Sequence, residues 1–122
     1  CGDSNTVTLL TLGGNNLVGE IPETLGDLIY LEELVLAGNP ITQLPKSIGK
    51  LKSVHTFYLD QTLVAELPNS FGELSALTNL YLMGSILTEL PASFGNLSSL
   101  RSLYIANSSL TVYLQHLETW GH

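Results

Sequence analysis

Three tyrosines, Tyr58, Tyr81 and Tyr104, stand at intervals of 23 residues, each between two large apolar residues. We call these three residues the tyrosine row. A tyrosine has an apolar ring with a polar tip, which suits contacts with sugars or with apolar peptide side chains. The chemistry that the row indicates is therefore the binding of a partner. The alternative is that the rings only stabilise one another across strands, by about 0.5–1 kcal/mol per pair.

Hydroxyl side chains also recur at this interval, but they do not form a catalytic pattern. The column consists of Thr24, Ser47, Ser70 and Ser93. A hydroxyl nucleophile needs a base beside it, and no histidine recurs with these residues. We interpret the column as hydroxyls that cap short helical turns.

Acidic and metal-binding side chains offer no better candidate for catalysis. The column Glu20, Glu66 and Glu89, interrupted by Gln43, is interpreted as a solvated edge, because paired carboxylates need a cleft to work as acid and base. His116, His122 and Glu118 are only a weak indication of a metal site, and a single cysteine cannot form a zinc pair. We therefore expect no enzyme activity, no cofactor and no metal.

Composition restricts the class of partner. The 122 residues are 44% hydrophobic, with four Lys and Arg against eleven Asp and Glu, a formal net charge of −7. This acidic balance disfavours nucleic acid and anionic lipid surfaces. No apolar run approaches the roughly 20 residues of a membrane helix, so direct membrane insertion is not expected in this segment. The chain begins without Met, and we expect it to be a fragment of a longer protein.

One period organises the whole chain. An apolar-Gly-x-Leu segment recurs every 23 residues, at Leu25–Leu28, Ile48–Leu51, Phe71–Leu74 and Phe94–Leu97. A Leu-Pro or Ile-Pro pair precedes each segment, and an L-x-x-L-x-L pattern follows it. This periodicity predicts five repeats in a single domain, at about residues 5–28, 29–51, 52–74, 75–97 and 98–122.

Each repeat has the signals for one strand and one tight turn. Alternating apolar residues such as Leu34 and Leu36 suit a strand with one buried face. Strands contributed one per repeat must pair in parallel. Beyond the proline, the Thr/Ser-apolar-Gly segment allows a short helical or 3₁₀ turn, which we expect the glycine to break. Stacked repeats can then bury the leucines that a single repeat would expose.

A polar residue occupies the bend two residues past each predicted strand. The column consists of Asn15, Asn39, Thr62, Ser85 and Ser108, and we call it the polar ladder. The backbone turns inward at this bend, and its polar groups need hydrogen-bond partners. Asn can both donate and accept, whereas Thr and Ser make fewer bonds. The sequence therefore predicts a structural ladder that weakens toward the C-terminus.

These motifs resemble leucine-rich repeats over nearly the whole chain. The stretch from Leu10 to Pro22 resembles the 24-residue plant extracellular type, and the next three repeats are similar to a 23-residue type with Leu-Pro. The resemblance implies an α/β, right-handed leucine-rich-repeat solenoid, with a parallel sheet on the concave face and short helical or 3₁₀ turns on the convex face.

In such a solenoid the outward-pointing strand residues line the concave face. The resemblance therefore implies a partner-binding surface that contains the tyrosine row together with Val35, Asp60, Met83 and Asn79. We expect it to bind a protein or glycan without catalysis. The alternative is a structural protein, with or without glycosylation, whose copies associate into oligomers or filaments through open solenoid ends.

Two further features favour an extracellular or cell-surface location. Cys1 resembles the end of the N-terminal cap of plant-type repeats, where a cysteine forms a disulfide with one further upstream. Asn96 and Asn107 each begin an N-x-Ser acceptor motif for N-glycosylation, and both are expected on accessible surface. The alternatives are a free thiol at a terminus and chance occurrence of a three-residue motif.

Overall fold

The computed structural model describes residues 8–14 and 18–105 of the chain. Seven strands occur in these segments: β1 (Leu9–Thr11), β2 (Gly19–Glu20), β3 (Glu33–Val35), β4 (Ile41–Gln43), β5 (Thr56–Tyr58), β6 (Asn79–Tyr81) and β7 (Ser102–Tyr104). Five of them form one parallel sheet in the order β1-β3-β5-β6-β7. The predicted α/β leucine-rich-repeat fold is confirmed, with one strand of this sheet from each repeat.

The register of the sheet follows the period of the sequence. Leu34 pairs with Phe57, Phe57 with Leu80, and Leu80 with Leu103, always 23 residues apart. Leu10 pairs with Leu34 at a separation of 24, which reflects the extra residue of the first repeat. Because the register is this regular, residues at the same repeat position lie side by side on neighbouring strands.

Short 3₁₀ helices return the chain from one strand to the next. They comprise Glu23–Asp27, Lys46–Lys50, Asn69–Glu73 and Ala92–Asn96. Each follows a proline whose φ lies between −66° and −70°. Proline suits this place because its φ is fixed and its missing N–H would have no helical partner. Each helix is followed by a leucine that begins the path back to the sheet.

A second sheet lies beside the first, and the sequence pattern did not predict it. Strand β2 pairs in parallel with β4, with Gly19 opposite Ile41 and a register irregularity before Glu20. Gly19 has a φ of +87°, a left-handed value that favours glycine. The first repeat thereby gains a direct backbone connection to the second repeat.

The core runs between the sheet and the 3₁₀ helices. Leu34 and Leu80 are fully buried, and Leu103 is partly buried against the same cluster. Phenylalanine rings also stack through the interior: the centroids of Phe57 and Phe71 are 5.8 Å apart, and those of Phe71 and Phe94 are 6.3 Å apart. Leucine and phenylalanine thus form columns shared by successive repeats.

The sequence pattern predicts that the recurring glycine ends each turn, but the glycine lies inside the 3₁₀ helix. Gly26 lies inside the first 3₁₀ helix, and its φ is outside the left-handed region. An added Cβ there would lie 2.5 Å from Cβ of Ser47 and 2.7 Å from the Ser47 carbonyl oxygen. The glycine is required because the next repeat packs directly against it.

The hydroxyl column also has a role that differs from the expected one. None of the 3₁₀ helices has a side-chain hydrogen bond from its N-cap residue, which is proline in each case. Instead Ser47 Oγ donates to the Glu23 carbonyl at 2.6 Å, and Ser70 Oγ donates to the Lys46 carbonyl at 2.6 Å. The Ser93 hydroxyl donates to the Asn69 carbonyl in the same way. The interpretation as caps was wrong for these three serines, because each hydroxyl ties its helix to the preceding repeat.

No helix in the described part of the chain is long and apolar enough to cross a membrane.

Candidate functional site

The tyrosine row forms a continuous stack on the concave face, a name we use for the outward-facing residues of the five-stranded sheet. The ring centroids of Tyr58 and Tyr81 are 4.3 Å apart with an interplanar angle of 10°. Those of Tyr81 and Tyr104 are 4.5 Å apart at 9°. The three residues are direct register partners, so the strand spacing of about 4.8 Å sets the ring spacing.

Stacking determines which parts of the rings a partner could touch. Both faces of Tyr81 lie against neighbouring rings, which leaves its edge and hydroxyl accessible. Tyr104 is 41% exposed, and Tyr58 and Tyr81 are half-buried. Lost hydration and the hydroxyls of Tyr58 and Tyr104 raise the pKa of Tyr81. The Tyr81 phenol is therefore neutral at physiological pH and able to donate or accept a hydrogen bond.

The other predicted contact residues surround this stack. Val35 lies beside Tyr58 in the sheet register, where its smaller side chain makes the surface lower. Asn79 is half-buried, and its amide donates to Thr78 Oγ1 at 3.3 Å. Met83 is 38% exposed. The surface therefore has a raised aromatic half and a lower half of smaller side chains.

Asp60 lies in an open depression where the chain leaves the strands. Ala37, Gly38, Asp60, Gln61, Met83 and Gly84 line the depression, which we call the Asp60 hollow. Asp60 Oδ1 accepts a hydrogen bond from the backbone N–H of Met83 at 2.9 Å. Partial burial raises the pKa of Asp60, although that hydrogen bond acts in the opposite direction.

The shape of the hollow depends on a backbone turn that is repeated from strand to strand. Gly38 and Gly84 have φ values of +76° and +70°, and Gln61 has +57° at the equivalent position. Left-handed φ is costly for a residue with a side chain, by roughly 1–2 kcal/mol. Gln61 thus keeps a strained conformation between two glycines on the rim of the hollow.

The cationic residues lie away from Asp60. The four Lys and Arg of the chain are Lys46, Lys50, Lys52 and Arg101. Lys46 and Lys50 belong to the second 3₁₀ helix, and Lys52 Nζ lies 4.0 Å from Glu73 Oε1. Arg101 immediately precedes β7, whereas Asp60 follows β5, at the opposite end of the strands. The pair between Lys52 and Glu73 is the only ion pair among the described residues that involves a lysine or arginine. Asp60 therefore has no lysine or arginine partner there.

The polar ladder has fewer hydrogen bonds at each successive repeat. Asn39 is buried, and its amide donates to the carbonyls of Leu12 at 2.7 Å and Leu36 at 3.1 Å. Thr62 Oγ1 donates to the Leu59 carbonyl at 3.1 Å. Ser85 Oγ is buried without a hydrogen-bond partner among the described residues. The remaining members, Asn15 and Ser108, lie outside the described residues.

Of the candidate residues for glycosylation, the cap disulfide and metal binding, only Asn96 lies in the described part of the chain. Asn96 is exposed at the end of the fourth 3₁₀ helix, on the side of the repeats opposite the five-stranded sheet. Cys1, Asn107, His116 and His122 lie outside the described residues. Within residues 8–14 and 18–105, no three His, Cys, Asp or Glu side chains are grouped so that they could hold a metal ion.

Glu23 is an inter-repeat contact that the sequence pattern missed. Its carboxylate accepts backbone hydrogen bonds from Ser47 at 3.0 Å and from Lys46 at 3.2 Å. Desolvation raises its pKa, but the hydrogen bonds from Ser47 and Lys46 outweigh this effect and lower it overall. The equivalent residues Lys46, Asn69 and Ala92 are not acidic, so no column indicated this contact.

Comparison with known proteins agrees with this architecture. A family model described as a leucine-rich repeat region matches residues 6–119. A search of curated proteins found no significant match. Among solved structures, 107 chains match. One is a leucine-rich repeat protein of Leptospira interrogans, with 31% identity and a TM-score of 0.74, over 80% of this chain and 26% of that one. The chain thus spans about a quarter of that relative's length.

Proposed function

Because the chain belongs to the leucine-rich repeat family, whose fold generally mediates protein–protein recognition, we propose that its concave face binds a protein partner through the tyrosine row. The observation that carries this proposal is the ring stack itself. Three ring edges and three hydroxyls are presented side by side, at centroid spacings of 4.3 and 4.5 Å. Members of the family are typically non-catalytic, and we propose no reaction for this chain.

The stack supports protein recognition because its rings already pack against one another before any partner binds. Each ring is restrained by its neighbours, so little side-chain entropy remains to be lost on binding. Tyrosine is also enriched in protein interfaces, where the ring contributes area and the hydroxyl contributes a hydrogen bond. A glycan is the second ligand class suggested by the sequence, but stacking within the row leaves fewer free ring faces for a sugar.

We also propose that the segment functions outside the cell or at the cell surface. The exposed position of Asn96 supports this proposal, because a glycosyltransferase needs an accessible asparagine. Expression through a eukaryotic secretory pathway, followed by mass spectrometry, should give a glycan at Asn96. An unmodified Asn96 in secreted protein that carries glycans elsewhere would contradict the use of this acceptor.

The partner can be identified and the binding tested in one design. A photo-crosslinking residue at position 81 should trap the partner, whereas the same residue at position 30 should not. Tyr30 is a suitable control because it is 58% exposed and lies between a 3₁₀ helix and the next strand. The purified partner is then titrated against the native chain, Tyr81→Ala and Tyr30→Ala, at a temperature where all are folded.

We expect Tyr81→Ala to weaken binding at least tenfold and Tyr30→Ala to leave it unchanged, since interface tyrosines at the centre of a contact often contribute above 1.4 kcal/mol, or about tenfold. Equal affinities for all three proteins would contradict the proposal. The alternative suggested by the sequence, self-association into oligomers, is tested by light scattering of the free chain. A monomer over the concentration range of the titration would exclude it as the basis of the measured binding.

A further inference from the structure

The Asp60 hollow holds a carboxylate that has no cationic partner among the described residues. Asp60 is partly buried and uses Oδ1 to accept the Met83 N–H at 2.9 Å. All four Lys and Arg belong to the described residues, and none forms an ion pair with it. A partly desolvated carboxylate without a cation is an electrostatic cost that a cationic ligand group would offset.

The same depression also has an apolar side chain in its lining. Met83 lines the hollow and is 38% exposed. An exposed apolar side chain beside a partly buried charge suits a partner side chain that is apolar along its length and charged at its tip.

We propose that the Asp60 hollow receives an arginine side chain of the protein partner. The guanidinium pairs with the Asp60 carboxylate, and the aliphatic part of the side chain lies against Met83. Arginine fits better than lysine because its planar head can donate two hydrogen bonds to one carboxylate and is more weakly hydrated. As a description of the partner, this inference rests on the proposed recognition function, and it adds the chemistry that the partner must present.

The position of the hollow makes it part of one continuous contact surface. Asp60 lies two residues past Tyr58, just beyond the end of β5. Tyr58 and Asp60 are both partly exposed and Leu59 between them is buried, so the two side chains face the same side of the sheet. A partner segment that crosses the tyrosine row therefore passes over the hollow. The net charge of −7 further favours approach by a basic segment.

The inference is tested with small probes and does not require the natural partner. The full chain, labelled with ¹⁵N, is titrated with N-acetyl-arginine amide and with the matching citrulline compound. Citrulline has nearly the shape of arginine but no charge. Binding is followed through the backbone amide signals of Met83 and Gly84. The same titrations are repeated on Asp60→Asn and on Glu66→Gln, which removes an exposed carboxylate from a different edge of the repeats.

We expect the arginine probe to shift the Met83 and Gly84 signals, and the citrulline probe to bind about three- to tenfold more weakly, as is usual for loss of one partly exposed charge pair. Asp60→Asn should reduce arginine binding by the same factor, while Glu66→Gln should not. The variant should fold, since an asparagine oxygen can still accept the Met83 N–H. Folding is checked by comparing the backbone amide signals of Asp60→Asn outside the hollow with those of the native chain, which should be unchanged.

Three results would overturn the inference: equal binding of the arginine and citrulline probes by the native chain, equal losses in the two variants, or shifts confined to residues outside the hollow. The first comparison requires no variant at all. A negative result with the arginine probe would not change what the partner titration of Tyr81→Ala shows about the tyrosine row. Conversely, an arginine site at Asp60 together with unaltered partner binding by Tyr81→Ala would remove the tyrosine proposal and retain the hollow as a cation site.

Discussion

The rings of Tyr58 and Tyr81 are nearly parallel, with centroids 4.3 Å apart, on strands whose backbones run side by side in direct register. This spacing is slightly shorter than the usual strand separation of about 4.8 Å. The rings can therefore stack without leaving the direction that the sheet gives them. The proposed recognition surface and the stability of the sheet consequently involve the same side chains.

Tyr81→Ala should destabilise the chain more than Tyr104→Ala. Tyr81 stacks on two rings and Tyr104 on one described ring. At about 0.5–1.5 kcal/mol for each aromatic pair, we expect losses of about 1–3 kcal/mol for the first variant and about half of that for the second. Urea denaturation monitored by circular dichroism measures both. No loss for Tyr81→Ala would indicate that the stack contributes nothing to stability. Equal losses in the two variants would indicate that the number of stacked rings does not determine the loss.

Asn39→Ala should be among the more damaging changes of a single polar residue. The buried amide of Asn39 donates to the carbonyls of Leu12 and Leu36, so its removal leaves acceptors unpaired in two repeats. We expect a loss of about 2–4 kcal/mol, since each unmet buried group costs roughly 1–3 kcal/mol. Thr62→Val, which removes one bond, is the comparison and should cost about half as much. The expectation fails if Thr62→Val costs more than Asn39→Ala.

Gly26→Ala tests the close approach of the convex turns. Its new Cβ would overlap Ser47, at 2.5 Å from Cβ and 2.7 Å from the carbonyl oxygen, so the backbone must shift. We expect a loss of about 1–3 kcal/mol, typical of overpacking. Gly95→Ala is the matched control, because no described atom lies within 4 Å of a Cβ there. Thermal unfolding of both variants gives the comparison, and equal melting temperatures would disprove the packing role of Gly26.

Glu23 should make stability depend on pH in a defined direction. Its pKa is lowered overall from the ordinary value of about 4.5, despite the opposing effect of desolvation, because Ser47 and Lys46 donate backbone hydrogen bonds to the carboxylate. The ionised form therefore favours folding. Its contribution is fully present above the unfolded-state pKa and is lost as pH falls through the lower, folded-state pKa.

Denaturation of Glu23→Gln at a series of pH values tests this linkage. The variant should be less stable than the native chain at pH 7, and the difference should shrink as pH falls below 4.5. Glu66→Gln, which alters an exposed carboxylate, controls for the change in net charge. A difference for Glu23→Gln that stays constant from pH 7 to acid would show that the ionised carboxylate is not the stabilising form.

The sheet could be predicted from sequence because its signal is local and repeated. Leu34 and Leu80 lie two periods apart, on the strands either side of β5, and both are fully buried as that period requires. The alignment of the tyrosine row follows from the same register. When parallel strands recur at a fixed interval, that interval alone determines which residues become neighbours. The sheet register and the alignment of the tyrosine row could therefore be predicted without three-dimensional detail.

Contacts between repeats were less predictable because they depend on distances that no local pattern encodes. Ser47 was interpreted as a cap of its own turn, yet its hydroxyl bonds the carbonyl of Glu23, 24 residues earlier. Gly26 was interpreted as a turn breaker, yet it makes room for Ser47. The Asp60 hollow needs the left-handed turn at Gln61, which has a side chain where neighbouring repeats have glycine.

Hydroxyl-radical footprinting, with and without the purified partner, tests recognition through the concave face most directly. Tyrosine and methionine side chains react with the radical when exposed, and mass spectrometry measures each residue separately. We predict that the partner lowers the oxidation of Tyr58, Tyr104 and Met83, while Tyr30, which is 58% exposed, keeps its free-state reactivity. Unchanged oxidation of the tyrosine row together with protection of Tyr30 would contradict the account.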